Sequence, residues 1–166
     1  MNHWMSRRKL LLAATSLPIA GMASAEPLQR GQLVNWPGVS LLDGSRIETE
    51  HVRGRPAVVV FWSLHCAFCE RHNAHIEALH RVSAKQGLLV LGVVAEAQPR
   101  QLLSHMAARN WTFPVTLDRS TLAAALGARR RVPFTVTITR DGRLAEQIPG
   151  EMFEADVLGF RSLLSA

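Results

Sequence analysis

Two stretches of the chain are apolar or glycine at every position: Ala57-Val-Val-Val-Phe-Trp62 and Leu88-Leu-Val-Leu-Gly-Val-Val94. β-branched and aromatic residues without alternation are the pattern of strands covered on both faces, so both belong inside a sheet. Between them, Ile76, Leu79, His80 and Val82 to Ser83 fall near helical spacing, which predicts a helix from about Cys66 to Lys85 stopped by Gly87. Strand, crossover helix and strand make a right-handed βαβ unit with parallel strands.

Upstream, Glu26 to Arg55 is turn-rich, and Val39 to Ile47 predicts two short strands joined around Asp43-Gly44. Downstream, the pattern predicts a helix over Pro99 to Arg109, a short strand over Phe113 to Asp118, and a helix over Thr121 to Leu126 that ends at Gly127. Asp118 and Arg119 read as turn residues. Val132 to Thr139 alternates in strand fashion, turns at Asp141-Gly142 and returns over Leu144 to Ile148, leaving Phe153 to Leu164 for a final helix. No internal repeat, linker or second domain is visible.

Composition adds two facts to this outline. The 166 residues, 48% hydrophobic with ordinary glycine and proline content, suit one globular domain large enough to fold without disulfide staples. The two cysteines lie three positions apart, and a bridge closing so short a loop stabilises little, so its purpose is chemical.

Residues 1–25 have the three parts of an export signal. Ser6-Arg7-Arg8-Lys9 is basic, Leu10 to Ala20 is mainly apolar, and Ala23-Ser24-Ala25 is a small-x-small cleavage pattern. The paired arginines before a leucine run resemble a twin-arginine signal. Interrupted by Pro18, the apolar stretch is shorter than the roughly 20 residues of a spanning helix, so cleavage is expected rather than a retained anchor. The expected organisation is a signal peptide over residues 1–25 and a single domain over 26–166, working in the periplasm. Cleavage would remove three cations and no acid, lowering the formal charge from +6 to +3. Such a mildly basic exported domain gives no reason to invoke nucleic acid.

Phe61-Trp-Ser-Leu-His-Cys66-Ala-Phe-Cys69 places a Cys-x-x-Cys pair where the first buried strand hands over to the helix. Unpaired N–H groups and the positive dipole end at a helix start favour a thiolate, the reactive form of cysteine. Two intervening residues put the second sulfur one turn away, able to attack a mixed disulfide formed on the first. Cys66 is the expected nucleophile and Cys69 the resolving thiol, with no cofactor required.

Phe-Trp-x-x-x-Cys-x-x-Cys, followed by Val132-Pro133 leading into a strand and then Asp141-Gly142, resembles the thioredoxin superfamily. The early hairpin and the extra segment between Glu96 and Leu117 resemble its TlpA/ResA-like branch of exported oxidoreductases, together with the cytochrome c maturation thioredoxins. The resemblance runs from Val39 to Leu164. It implies an α/β thioredoxin-like fold: a central mixed sheet flanked by helices, with an N-terminal β-hairpin and an inserted α/β segment. It also implies a cis Pro133 packed beside the disulfide, and a Val132 backbone that pairs with the bound client.

Three positions depart from the family pattern. The buried aspartate of thioredoxin, six positions before the first cysteine, is Val60 here. The glutamate common in ResA-like proteins, three positions after the second cysteine, is His72, and the helix-kinking proline is Ala74. Proton transfer at Cys69 must then use water, His72 or another group. Arg129-Arg130-Arg131 would lie near the sulfurs in this fold, and their field, with His65, is expected to favour the Cys66 thiolate and a more oxidising disulfide.

The expected function is a periplasmic thiol–disulfide oxidoreductase that reduces disulfides in exported proteins and is kept reduced by a membrane electron donor of the DsbD type. Three alternatives stand beside it. One is an oxidase or isomerase of the same fold. Another is a copper or zinc carrier using Cys66, Cys69 and nearby histidines, since Cys69, His72 and His75 fall at three-residue steps. The third is a peroxidase, because Ser63-Leu64-His65-Cys66 resembles the Thr-x-x-Cys of peroxiredoxins. His75 and His80 are expected on a solvated helix face, Trp62 and Trp111 in packing, and Phe68 on an apolar surface for the partner.

Overall fold

The computed structural model describes residues 28–95 and 97–165. The export signal expected over residues 1–25 lies outside them. No helix among the described residues is long and apolar enough to cross a membrane.

Both apolar runs form strands. β1 (Val39–Ser40) and β2 (Arg46–Ile47) make the early hairpin, and a short helix α1 (Thr49–Val52) follows. β3 (Ala57–Trp62) then leads into α2 (Ala67–Ser83), and β4 (Leu89–Val94) into α3 (Pro99–Ala108). β5 (Val115–Thr116), α4 (Arg119–Leu126), β6 (Phe134–Ile138), β7 (Leu144–Pro149) and α5 (Glu154–Gly159) complete the order. The sheet runs β5-β4-β3-β6-β7, with β3, β4 and β5 parallel and β6 and β7 antiparallel to their neighbours.

β3 is central and buried at every residue, as the unbroken apolar run predicts. Its side chains alternate between two cores. Val58, Val60 and Trp62 face a layer containing Cys69, Ile76, Leu102 and Val157, while Ala57, Val59 and Phe61 face Leu122, Leu126 and the hairpin residue Val39. Helices α2, α3 and α5 therefore cover one face, and α4 with the hairpin covers the other.

Gly92 lies in the middle of β4 for a packing reason. A Cβ there would stand 2.8 Å from the Phe113 ring and 2.9 Å from Trp62 Nε1, so only glycine lets the aromatic layer close over the strand. That layer holds Trp62, Trp111, Phe113 and His105, with Trp62 and Trp111 edge to face at 5.8 Å.

Several boundaries differ from the sequence expectation. The strand expected over Phe113 to Asp118 is only two residues long. The expected final helix breaks after Gly159 into a 3₁₀ segment over Phe160–Leu164. Asp118 and Arg119 are more than turn residues. The Asp118 carboxylate accepts from Ser40 N at 2.7 Å, pinning the hairpin to the sheet, while Arg119 opens α4 and lies over Phe61.

A second tie holds α2 to the segment before β5. The buried Glu77 carboxylate accepts from Arg81 Nε (2.6 Å), Thr112 N (2.7 Å), Thr112 Oγ1 (2.8 Å) and Phe113 N (3.2 Å). Burial alone would raise its pKa, but these donors outweigh burial and hold it below the usual 4.5. Its contribution to stability is therefore full above pH 4.5 and is lost as the pH falls through the lowered value. Glu77→Ala is expected to cost about 2–4 kcal/mol by urea denaturation at pH 7. The deficit should narrow below pH 4, where wild type loses the same bonds.

Candidate active site

Cys66 is the N-cap of α2, where the chain leaves the end of β3. Its Sγ accepts a hydrogen bond from Cys69 N at 3.2 Å, so negative charge on this sulfur has a fixed backbone donor. The same thiol lies 3.7 Å from the Val132 carbonyl oxygen, to which it donates when protonated. Val132 precedes the buried Pro133 through a cis peptide bond, as the family resemblance implies. Two segments remote in sequence, the start of α2 and the loop into β6, thus meet at one sulfur.

The two cysteines are free thiols in unequal surroundings. Cys66 is half-buried, whereas Cys69 is wholly enclosed on the α2 side of the sheet. Burial, followed by the Cys66 side chain as partner, pushes the Cys69 pKa up to about 12. Reagents arriving from solvent meet Cys66, and Cys69 is held in reserve.

His72 sits one turn below Cys69 and is fully buried. Met152 N donates to its Nδ1 at 3.3 Å, which leaves the proton on Nε2, 3.0 Å from Thr135 Oγ1. Burial, aided by the charge of His75, lowers its pKa to about 4. His72 is therefore neutral at pH 7, with both ring nitrogens occupied.

Beside it Arg71 grips Glu151 bidentately, at 2.7 and 2.6 Å, and lies 5.1 Å over the Phe68 ring. Its charge also interacts with the Cys66 sulfur. Phe68 is 60% exposed beside the dithiol and Phe153, past the Glu151 loop, is 82% exposed, giving this end of the molecule an apolar rim.

On the α3 side Glu70 pairs with Arg109, and its other oxygen lies 3.4 Å from His105 Nε2. Burial and the Arg109 charge lower the His105 pKa.

The structure brings Cys66, Cys69 and the Val132–Pro133 segment together. His65 is exposed on the rim within electrostatic range of His105. Arg131 is exposed beside Val132. The solvated face expected for His75 and His80 is a half-buried one, because α2 is covered along much of its length. Among the described residues no three His, Cys, Asp or Glu side chains gather as a group able to hold a metal ion.

Sequence reasoning missed Thr135, Met152, Arg71 with Glu151, and Glu70 with His105 and Arg109. Thr135 carried a usable signal, since period-two counting along β6 puts it on the same face as Thr137, and an adjacent buried helix invites a polar partner there.

The chain matches the AhpC/TSA family over residues 35–147. It is similar to the thiol-disulfide oxidoreductase ResA of Bacillus cereus (strain ZK / E33L), 23% identical over 138 residues, covering 83% of this chain and 80% of that one. Among solved structures it resembles a thioredoxin-family thiol:disulfide interchange protein of Chlorobium tepidum TLS (TM-score 0.74, 18% identity, 82% of this chain and 98% of that one). It also resembles a secreted thiol-disulfide isomerase of Corynebacterium glutamicum (TM-score 0.72, 20% identity, 80% and 86%). The structural likeness confirms the thioredoxin-like fold.

Two outcomes test this geometry. Alkylation of the reduced protein at pH 8 should modify Cys66 at least about a hundredfold faster than Cys69, read by peptide mass spectrometry, and equal rates would contradict the burial of Cys69. His72 binds its proton less readily when folded, so protonation of the unfolded chain should erode stability as pH falls from 6.5 towards 4, by up to about 3 kcal/mol. In urea titrations at pH 7 and pH 5, His72→Gln should lose less stability between the two than wild type.

Proposed function

We propose that this chain, which belongs to the AhpC/TSA family, is an exported thiol–disulfide oxidoreductase that reduces disulfides in periplasmic client proteins. The observation that carries the reading is the inequality of two sulfurs one helical turn apart. One is reachable and faces a backbone donor, and the other is enclosed behind it.

In the reaction, the Cys66 thiolate attacks one sulfur of the client disulfide. A mixed disulfide forms and the client's second sulfur leaves, taking up a proton. Cys69 then gives up its proton and attacks the Cys66 sulfur, and the client's remaining sulfur departs as a thiol. Two electrons pass to the client, and Cys66 and Cys69 end as a disulfide. A membrane-bound dithiol donor of the DsbD type must return these electrons in an oxidising compartment.

Val132 and Pro133 form the wall against which the client strand lies, with the Phe68 rim beside it. His65 and Arg131 tune the edge of the site, and His72 supports Cys69 from below. The signal expected over residues 1–25 supports export, as does the secreted character of one structural relative.

Cys66→Ser should abolish reduction of a disulfide-bonded client, while Cys69→Ser should trap a thiol-cleavable adduct on Cys66. A reduction potential near or below about −250 mV would support the reductase direction, whereas about −120 mV would reverse it to an oxidase. Rapid turnover of hydrogen peroxide without client exchange would replace the reading with a peroxidase.

A further inference from the structure

Between the end of β4 and the start of α4 lies a cleft of about 390 Å³ bounded by Val94, Leu117, Arg119, Ser120, Arg129 and Arg130. Three arginines, Arg119, Arg129 and Arg130, line it together, with Arg131 next in the chain. Arg46, Arg71, Arg81, Arg109 and Arg143 each have a carboxylate partner. Arg119, Arg129, Arg130 and Arg131 have none among the described residues.

Arg119 is nonetheless held in place. Its guanidinium lies 5.6 Å over the Phe61 ring, Nη2 donates to the Arg129 carbonyl at 3.5 Å, and Nη1 is shut off from water with no acceptor. Arg119 so fixed adds a stationary positive charge to the wall of the cleft, beside the exposed Arg129 and Arg130, whose guanidinium groups suit a carboxylate through paired N–H bonds.

We propose that this cleft docks acidic side chains of the disulfide-bonded client, and so gives the enzyme a preference for cysteines with Asp or Glu nearby. The proposal rests on the thiol–disulfide reading above. The apolar wall of Val94 and Leu117 suits the short hydrocarbon stem of such a side chain better than a bare inorganic anion.

The spacing follows from the chain itself. Arg130 is two residues from Val132, at most about 7 Å between Cα atoms, and the Val132 carbonyl is 3.7 Å from Cys66 Sγ. When a client sulfur is bonded to Cys66, a client residue two to four positions away, reaching about 7–14 Å in extended chain, meets the cleft. Arg71, whose charge reaches the Cys66 sulfur, is already matched by Glu151 and does not compete.

The test uses the reduced full-length protein and two disulfide-bonded peptides that differ only in Glu or Gln at positions two and four from the reactive cysteine. At about 20 mM salt, kcat/KM for the acidic peptide should exceed that for its neutral twin at least about tenfold, and the gap should shrink at about 300 mM. Arg129→Gln/Arg130→Gln should bring the ratio of the two peptides' kcat/KM to about one, through a raised KM for the acidic peptide. Equal rates in wild type, or a variant that slows both peptides alike, would overturn the proposal. If neither peptide is reduced, the oxidoreductase reading itself fails and the docking proposal falls with it.

Discussion

The antiparallel register between β3 and β6 is the constraint on which the site depends. Phe61 stands opposite Phe134. Cys66 follows the first by five residues and Val132 precedes the second by two, so this pairing brings the Cys66 sulfur to the Val132 carbonyl. β3 is covered on both sides, and a slip of one residue would send Val58, Val60 and Trp62 into the wrong core. The reactive geometry is thus inherited from hydrophobic packing several residues away.

Legibility followed the physics of each element. β3 and β4 were readable because complete burial leaves an unbroken apolar run, and the start of α2 was readable because the Cys-x-x-Cys pair marks it. β6 was harder. Its Phe-Thr-Val-Thr-Ile alternation suggests one wet face, yet both faces are covered, and Thr135 serves as the partner of a histidine from α2. The short α1 and the break after Gly159 left little trace, since four to six residues are too few to show a helical period. Cross-chain pairs such as Arg71 with Glu151 depend on tertiary approach, which local pattern does not encode.

Two of the three departures from the family pattern acquire a physical meaning in the structure. Val60 completes the dry centre of the sheet. His72 occupies the glutamate's place but is a neutral, doubly bonded linker between α2, β6 and the Met152 segment, so it braces the floor of the site. The carboxylate next to the pair is instead Glu70, which faces the inserted helix α3 and its His105 and Arg109. Charge near the dithiol therefore comes from a different helix face than the family pattern implies.

The enclosure of Cys69 has a consequence for time as well as for reactivity. In the proposed reaction, release of a client bonded to Cys66 awaits an internal event: loss of a proton from a thiol that burial holds tightly. That step is unimolecular, and its proton donor belongs to the enzyme whichever client is attached. On that reading the buried sulfur is an internal clock, giving each covalent complex a dwell time set by the architecture of α2.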